Sequence, residues 1–331
     1  MSDDPLAEER ARRRREREAR RAEAAPEPEP PTARKAKAAK ASKPPESRHP
    51  NRRRLGIAAG LAVVFLGIAA IAALAYEHFH RSTPPPVVIR TITVTIPEGY
   101  TRSQTAEIAK QEGLRGNYEQ ASLHSKYLNP AKYGGKGAKD LEGFLFPDTF
   151  ELEKHASAAD LVQLQLEDFK RRIAGVDMGY ARSKNLTIYD VITIASMIED
   201  EAGLESQRKL VAAVIYNRLH DGMPLGIDAT TRFATGNYTE PLTESELAID
   251  SPYNTRTNTG LPPGPIDSPG LASIEAAAHP AKVDYLFYVA EPGACNKLAF
   301  SSTEAEFNAD VEGYNSAREA AGGNSPDNCG E

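Results

Sequence analysis

The amphipathic pattern of the chain is clearest over Ile188–Gly203, where apolar residues recur with the spacing of one helical face. These apolar positions are Ile188, Val191, Ile192, Ala195 and Ile198. Glu199 continues the series, so its carboxyl is expected on or beside the buried face, while Asp200 and Glu201 turn toward solvent. A carboxylate in apolar surroundings is costly unless it is paired or protonated. The pattern therefore leaves two interpretations: an ordinary core helix with a solvated acidic end, or a helix that presents a general acid.

The longest apolar run covers residues 55–76, which are 22 residues without a charged side chain. As a helix it would be about 33 Å long, enough to cross the hydrocarbon core of a bilayer. A signal peptide is the competing interpretation, but its apolar region is usually only about 7–15 residues long. We therefore predict a single, uncleaved transmembrane helix. Arg52, Arg53 and Arg54 precede it, which predicts a cytoplasmic N-terminus and an extracellular or periplasmic body from residue 81 onward.

The stretch that follows a short proline-rich spacer predicts a small α+β unit. Alternating β-branched residues over Val87–Ile96 predict a strand. Helices are predicted at Ser103–Gln111, with Ser103 as the N-cap, and at Tyr118–Tyr127. Leu141–Leu152 is a second predicted strand, broken at Pro147. This β-α-α-β order is similar to that of a LysM-like module, a small glycan-binding fold.

Helical periodicity dominates the next part of the chain and then fades. Helices are predicted at Ser157–Ile173, Ile188–Gly203 and Gln207–Leu219. Beyond Gly222 regular structure is expected to thin, and Ser251–Gly270 is rich in Asn, Thr, Gly and Pro without any periodicity. An irregular segment of this length inside a compact body is usually functional. The C-terminal elements are a helix at Ser268–Ala278, a strand at Tyr285–Val289 and a helix at Ser302–Ala320.

Charge divides the chain into a basic head and an acidic body. Residues 1–54 carry 17 Lys and Arg against 10 Asp and Glu, whereas the rest of the chain has a net charge of −13. The head is of low complexity with few large apolar residues, so it is expected to be disordered. A basic tail can bind nucleic acid, but we favour a topology signal that contacts anionic lipid. The acidic body argues against nucleic acid as its partner.

Familiar catalytic motifs are missing from the sequence. Cys295 and Cys329 could form a disulfide or stay reduced, and their spacing does not suggest zinc. The histidines are scattered without an H-x-x-x-H pair, so neither a metal nor a cofactor is expected. The absence of G-x-S-x-G and of a Walker A motif disfavours serine hydrolases and P-loop enzymes. Carboxylates and polar loops remain, and these are the groups that carbohydrate-cleaving enzymes use.

Five blocks, in order along the chain, carry a family resemblance. They are LEGFLFPDTF at 141–150, ASMIEDEAG at 195–203, YNRLHDGMPLGIDATTRF at 216–233, SPYNTRTNTGLPPGPIDSPG at 251–270 and AAAHPAKVDYLFYVA at 276–290. Together they resemble the MltG (YceG-like) family of endolytic murein transglycosylases. The resemblance covers roughly residues 88–318, which is all of the predicted extracellular body.

The resemblance implies a peptidoglycan lytic transglycosylase, a lyase of bacterial cell-wall biogenesis. Such an enzyme cleaves the MurNAc-β-1,4-GlcNAc bond within glycan strands and leaves 1,6-anhydro-MurNAc ends, because the C6 hydroxyl of the muramic acid attacks its own C1. One carboxyl can act first as acid and then as base, whereas an ordinary glycosidase needs two carboxylates. The family's catalytic glutamate falls on Glu199, the residue that periodicity also singles out.

The predicted fold is α+β, with one N-terminal transmembrane helix, a LysM-like β-α-α-β subdomain and a mixed α/β catalytic domain. The predicted parts are a disordered cytoplasmic tail (1–54), the membrane helix (55–76), a spacer (77–86), the LysM-like subdomain (87–153), the catalytic domain (154–320) and a C-terminal tail (321–331). The protein is then a single-pass protein of the plasma or inner membrane.

Other polar residues within the matching blocks are candidates for substrate binding. They are Asn217, Asp228, Thr230, Tyr253, Asn254, Thr255 and Glu142. Each has a structural alternative, since Asn217 could cap its helix and Asp228 and Thr230 could hold a turn. Glu142 and Asp148 are candidates for a second carboxylate, or they brace the turn around Pro147.

Two other functions compete with the transglycosylase. One is a non-catalytic peptidoglycan-binding scaffold, which would have no need of Glu199 on an apolar face. The other is a hydrolytic muramidase, which would need a second carboxylate to handle water. The expected partners are peptidoglycan glycan strands and the membrane, and the resemblance also implies penicillin-binding proteins and other cell-wall synthesis machinery.

Overall fold

A computed structural model of the chain describes residues 65–77 and 90–326. The basic tail, residues 55–64 of the predicted membrane helix, most of the spacer and Cys329 lie outside these described residues. The chain divides into two compact units, Met1–Pro85 and Pro86–Glu331. In the first unit residues 65–77 form a helix, and no helix among the described residues is both long and apolar enough to cross a membrane. The membrane-spanning helix therefore stays a prediction.

The described part of the second unit is a mixed α/β structure. Its strands are β1 (Thr91–Thr95), β2 (Thr149–Glu153), β3 (Phe287–Ala290) and β4 (Leu298–Ser301). Its α-helices are α1 (Arg102–Gln111), α2 (Tyr118–Ala121), α3 (Ala158–Ile173), α4 (Gly179–Ser183), α5 (Ile188–Glu201), α6 (Arg208–Asp221), α7 (Asp228–Thr235), α8 (Glu244–Leu247), α9 (Leu271–Ala278) and α10 (Glu304–Ala320). Short 3-10 helices lie at Pro130–Tyr133 and Glu205–Gln207.

The β-α-α-β order predicted for the first part of the body is present. β1 and β2 pair in antiparallel fashion with Val94 opposite Phe150, and α1 and α2 lie between them in the chain. The prediction that Ser103 caps α1 is wrong. Thr101 is the N-cap, because its hydroxyl accepts a hydrogen bond from the Gln104 backbone N–H, while the side-chain oxygen of Gln104 accepts one from the Thr101 backbone N–H. α1 therefore begins one residue earlier than its pattern suggested.

Two predicted elements of this part are shorter in the structure. α2 ends at Ala121 instead of extending to residue 127, because the Ser122 hydroxyl donates to the Tyr118 carbonyl at 2.7 Å and closes the turn. The strand predicted at Leu141–Leu152 is a strand only from Thr149, and residues before it form a buried turn. Gly143 has a φ of +80° there, in contact with Pro265, so the chain cannot remain extended.

Helix α5 is the centre of the body. Thr187 is its N-cap and forms a capping box with Asp190, and the helix ends at Glu201. Every residue of Val191–Ile198 is buried, and the helix packs mainly against α9 and α6. An aromatic cluster covers its first turn, because the Phe144 ring stacks on Tyr189 at 5.8 Å between centroids. α5 is therefore a rigid platform for whatever its last turn carries.

The C-terminal third contains elements that the sequence pattern did not reveal. Helices α7 and α8 and strand β4 were not predicted, whereas Ser251–Gly270 has no helix or paired strand segment, as expected. α7 lacks a side-chain cap, and its sequence DATTRFAT is rich in β-branched and polar residues that disfavour helix. β4 pairs with β3 in antiparallel fashion and places Ala299 opposite Val289.

Candidate active site

Glu199 lies in the last turn of α5, where the helix leaves the core. Its side chain is only 8% exposed, so the predicted position beside the apolar face is confirmed. Its Oε1 accepts a hydrogen bond from Nη2 of Arg208 at 3.1 Å, and its Oε2 accepts one from the backbone N–H of Gly270 at 3.0 Å. A carboxyl held in this way at both oxygens can exchange a proton with a group bound beside it.

A turn from the start of the body passes directly against this carboxyl. The Gly99 N–H donates to the carbonyl of Ser268 at 3.0 Å, and the Ser268 N–H donates to the carbonyl of Tyr100 at 3.1 Å. A Cβ placed on Gly99 would lie 3.5 Å from Cγ of Glu199, which is ordinary contact. The turn after β1 and the loop before α9 are therefore joined at Glu199.

Glu98, in the same turn, brings a second carboxyl to the site. A Cβ on Gly270 would overlap the Glu98 carboxylate, so the Glu98 side chain lies directly against Gly270. Partial burial raises the pKa of Glu98, the charge of Glu199 raises it further, and the Arg208 guanidinium opposes both. The cluster of Glu98, Glu199 and Arg208 thus carries a net negative charge when both carboxyls are ionised.

Asp200 and Asp267 add two more carboxyls on the other side of Glu199. Desolvation raises the pKa of Asp200 to about 6, its hydrogen bond with Asp267 opposes this, and the charge of Glu199 contributes to the rise. Burial raises the pKa of Asp267 well above its usual range, and the charges of Asp200 and Glu142 act in the same direction. The site therefore concentrates acidic groups within a partly dry region.

Glu201 does not turn toward solvent, and that expectation is wrong. It is half-buried because β3 passes beside the end of α5, and its Oε2 accepts a hydrogen bond from the Tyr288 hydroxyl at 3.0 Å. Desolvation raises the pKa of Glu201 to about 7, against the lowering effects of the Tyr288 hydrogen bond and of Arg256. Asp228, whose charge also raises this pKa, binds Nε of Arg256 at 2.9 Å.

Replacing Tyr288 with phenylalanine is expected to raise the apparent pKa of Glu201 from about 7 by roughly one unit. The lost hydrogen bond stabilises the carboxylate, and bonds to charged groups contribute about 1.5 kcal/mol or more, which is about one pKa unit. Carboxyl ¹³C NMR titration of wild type and variant measures the change. Tyr285→Phe, in the same segment, is the control and should leave the titration of Glu201 unchanged. An unshifted Glu201 in Tyr288→Phe would contradict the assigned bond.

Glu142 lies at the floor of an open cleft of about 670 Å³, which is also lined by Thr101, Phe233 and Tyr238. Both carboxylate oxygens accept from the backbone N–H of Arg102, at 3.2 and 3.1 Å. Burial nevertheless raises the pKa of Glu142 to about 8, against the lowering effect of the Arg102 hydrogen bond. The cleft connects the β-α-α-β part of the body with α7, so Glu142 faces the region between them.

Three predicted binding residues hold the irregular loop together. Thr230, Asn254 and Thr255 are at most 1% exposed. The hydroxyls of Thr230 and Thr255 are bonded to each other at 2.9 Å, and the Asn254 amide donates to the carbonyls of Leu247 and Ile249. These polar groups thus form hydrogen bonds within the protein, as expected if the three residues stabilise the loop instead of binding substrate.

Asn217 and Tyr253 make contacts within the structure that do not involve Glu199. The Asn217 amide donates to the carbonyls of Val283 and Tyr285 at 3.0 and 2.8 Å, so it anchors the segment before β3. The Tyr253 ring packs on Phe233 at 4.8 Å between centroids and is half-buried. Desolvation raises the pKa of Tyr253 to about 12, so its hydroxyl remains a hydrogen-bond donor.

The remaining predicted positions are both in ion pairs. Asp228 stands at the first residue of α7 with its side chain 47% exposed and paired with Arg256. Asp148, the other candidate for a second carboxylate, binds Nη2 of Arg172 at 2.6 Å. Asp228 keeps access to solvent, whereas Asp148 braces the start of β2 against α3.

A family profile agrees with this architecture. The profile of the YceG-like family matches residues 70–313, which is most of the chain. The chain belongs to the YceG-like family. The YceG-like match includes Glu199, Arg208 and Gly270, and also the turn at Gly99 that touches the carboxyl.

Relatives of this YceG-like chain carry informative names. A Bacillus subtilis protein named endolytic murein transglycosylase is 37% identical over 179 residues, 54% of this chain and 49% of that protein. A Streptococcus pneumoniae protein of the same name is 34% identical over 225 residues, covering 60% of this chain and 40% of its own. The chain thus spans half or less of the length of these two relatives. A crystal structure of a YceG-like protein from Listeria monocytogenes has a TM-score of 0.58 at 33% identity, over 67% of this chain and 76% of that one.

Several residues at the YceG-like site could not be found from the sequence pattern. Arg208, Glu98 and Asp267 reach Glu199 from three different segments, and only the folded chain brings them together. Asp267 alone gave a signal, because it lies between Ile266 and a Ser-Pro-Gly turn in a segment that is otherwise apolar or small. No group of three His, Cys, Asp or Glu residues in the described ranges is arranged to hold a metal ion.

The two cysteines are far from the site in sequence. Cys295, in the loop between β3 and β4, is disulfide-bonded. The sequence contains one other cysteine, Cys329, which lies outside the described residues. A disulfide was one of the two states that the sequence left open, and it is expected of a protein in an oxidising compartment.

Proposed function

We propose that this chain is an endolytic lytic transglycosylase that cleaves the MurNAc-β-1,4-GlcNAc bond within peptidoglycan strands. The observation that carries the proposal is the placement of Glu199, a largely buried carboxyl held by Arg208 and by the Gly270 N–H. Family membership and relatives named endolytic murein transglycosylase support the choice of substrate.

In the first step the protonated Glu199 carboxyl donates its proton to the glycosidic oxygen that leaves C1 of the muramic acid. The bond from C1 to that oxygen breaks, and positive charge develops at C1. Glu199 becomes a carboxylate, the form that the Arg208 guanidinium and the Gly270 N–H stabilise at its two oxygens. The held geometry therefore favours the product of proton donation.

In the second step the Glu199 carboxylate accepts the proton of the muramic acid C6 hydroxyl. The C6 oxygen forms a bond to C1 as this proton leaves. This closes the 1,6-anhydro ring and returns Glu199 to its protonated form, so the atoms and protons balance without water. Carboxylates of Glu98 and Asp200 near Glu199 would stabilise the positive charge that develops at C1. One carboxyl thus serves as both acid and base.

The rest of the chain would hold the enzyme at its substrate. The β-α-α-β order at β1, α1, α2 and β2 supports a LysM-like role in holding a glycan strand, and the cleft beside Glu142 would accommodate the strand. The apolar run at residues 55–76 supports a single-pass membrane anchor with the body outside the cytoplasm. An enzyme in this place would limit nascent strand length beside penicillin-binding proteins.

Product analysis tests the proposal directly. Full-length protein is incubated with uncrosslinked peptidoglycan strands, and the new ends are identified by mass spectrometry. The expected products are internal fragments with 1,6-anhydro-MurNAc ends, which are lighter than reducing ends by one water. Predominantly reducing ends would overturn the transglycosylase in favour of a hydrolase, and uncut strands would favour a non-catalytic scaffold.

The hydrolytic muramidase is the second candidate, and a specific observation favours it. Hydrolysis needs a second carboxylate to act on water or as a nucleophile. Asp200 follows Glu199 directly, is exposed and interacts electrostatically with it, so a candidate for that role is present. The same product analysis distinguishes the two reactions.

A further inference from the structure

Asp267 occupies a fixed and enclosed position beside the candidate acid. The residue before it, Ile266, donates its N–H to the Ser196 hydroxyl at 3.1 Å, and the residue after it, Ser268, is bonded through its backbone to Tyr100. Three residues after Asp267, the Gly270 N–H donates a hydrogen bond to the Glu199 carboxylate. Asp267 is therefore fixed between α5 and the turn after β1, and it is only 1% exposed.

The carboxyl of Asp267 is buried without a conventional partner. Neither Oδ1 nor Oδ2 accepts a hydrogen bond from a donor group of the described residues, and neither is accessible to solvent. An isolated carboxylate in such a place is strongly unfavourable. Arg208 Nε and the hydroxyls of Thr231 and Ser273 are also buried without a partner, but Asp267 is the carboxyl among them, and a carboxyl can avoid the cost by keeping its proton.

The charged and titratable groups that face Asp267 are nearly all acidic. Asp200 and Glu199 face it from α5, and Glu142 faces it from the turn before β2. Tyr238, which follows α7, also senses the charge of Asp267, while the guanidinium of Arg232 on α7 acts on Asp200. No cation therefore compensates a negative charge on Asp267 among the neighbours that the structure describes.

Asp200 is the group whose charge acts most strongly on Asp267, and the two carboxyls lie near enough to share a hydrogen bond when one of them is protonated. Two carboxyls can share a hydrogen bond only if one of them carries a proton. Asp200 is exposed and Asp267 is enclosed, so a negative charge is less costly on Asp200.

We propose that Asp267 is a protonated positioning residue, whose carboxyl donates its hydrogen to the Asp200 carboxylate and so holds that anion beside Glu199. Glu199 and Asp200 follow Ser196 by three and four positions, so all three lie on neighbouring parts of the α5 surface. Because the Ile266 N–H bonds to Ser196 and the Gly270 N–H bonds to Glu199, the segment between them runs along this face of the helix. The neutral acid at 267 keeps one negative charge on this pair of carboxyls instead of two. This role in catalysis rests on the proposed function, whereas the shared proton does not.

A linkage experiment on the full-length chain tests the proton without any assay of activity. Asp267 keeps its proton in the folded state, whereas in the unfolded chain it ionises above a pH of about 4. The folded state then binds one proton more, so wild-type stability falls as pH rises through this range. Denaturant unfolding at pH 5, 6 and 7 should show the ratio of unfolding constants, wild type over Asp267→Asn, rising about tenfold per pH unit.

The matched control is Asp250→Asn, an exposed aspartate before the same irregular loop, for which the ratio should stay constant with pH. A constant ratio for Asp267→Asn would mean that Asp267 is ionised in the folded protein, and it would overturn the proposal. A constant ratio includes the case in which Asp267→Asn is destabilised by the same amount at every pH.

Two variants then test positioning. Asp267→Asn keeps a donor for Asp200 and should retain the wild-type rate and pH profile of strand cleavage near neutral pH. Asp267→Leu has a similar volume but no donor, so it should lose about tenfold or more in kcat and show a raised pKa of Asp200 in a carboxyl NMR titration. Equal loss in both variants, or no loss in Asp267→Leu, would overturn the positioning role. If wild type itself yields no anhydro ends, the proposed function fails, while the unfolding experiment still decides the shared proton.

Discussion

Replacing Glu199 with glutamine is expected to reduce strand cleavage by at least about 10³-fold, because the same carboxyl serves both proton transfers of the proposed reaction. Glutamine keeps the size of the side chain and can still accept the hydrogen bond from Gly270, but it can neither donate a labile proton as an acid nor accept one as a base. The measurement is the initial rate of appearance of 1,6-anhydro ends from uncrosslinked strands.

The control for this substitution is Glu275→Gln, an exposed glutamate on α9, which should cleave at the wild-type rate. Denaturant midpoints of both variants should remain close to that of wild type, so that a lost rate is not a lost fold. Retention of more than about a tenth of the activity in Glu199→Gln would remove this residue from the mechanism.

Replacing Phe144 with alanine is expected to lower the free energy of unfolding by about 3–5 kcal/mol. Phe144 is fully buried, and its ring packs against three others: Phe169 at 5.1 Å, Tyr133 at 5.6 Å and Tyr189 at 5.8 Å between centroids. The truncation leaves a cavity that these rings cannot fill, and it also removes the contacts of the Phe144 ring with each of them. Chemical denaturation at fixed pH measures the loss.

Phe144→Leu is the matched variant, since it keeps most of the apolar volume and should cost about 1.5 kcal/mol or less. Because Tyr189 lies in the first turn of α5, the alanine variant should also loosen the platform of Glu199, and hydrogen exchange in α5 should increase. A loss below about 1 kcal/mol in Phe144→Ala would show that the cluster can collapse around the gap.

Local signals in the sequence were sufficient for α5. The Thr187 and Asp190 capping box set its start, and the three-and-four spacing of apolar residues placed Glu199 beside the core. Both are interactions within a few positions of the chain, which is why a pattern could reveal them. The same reasoning failed for α7, where no side chain caps the helix and tertiary packing of Thr230 and Thr231 holds a poor helix former in place.

Long-range contacts set the chemistry of the candidate site, and no pattern shows them. The N–H that holds Glu199 comes from Gly270, 71 positions away, and Tyr288, 87 positions from Glu201, bonds that carboxyl. The prediction that Glu201 turns toward solvent was therefore wrong, because the geometry of one helix does not show that β3 packs beside it. The roles of the polar residues in the matching blocks were equally ambiguous from sequence. Thr230 and Asn254 have groups that could bind a sugar, but these groups form hydrogen bonds with other residues of the protein.

The bridge between Tyr100 and Ser268 has a consequence for the order in which the chain becomes competent. It joins the beginning of the body to the loop before α9, and the Gly270 N–H is supplied only after that loop has been placed. A folding intermediate that includes α5 and α6 but not this loop has Glu199 and Arg208 and lacks the Gly270 N–H. Contacts of such high sequence separation form late and slowly. Under the proposed function, this intermediate would lack one of the two donors that stabilise the Glu199 carboxylate, so cleavage would begin only once nearly the whole body has folded.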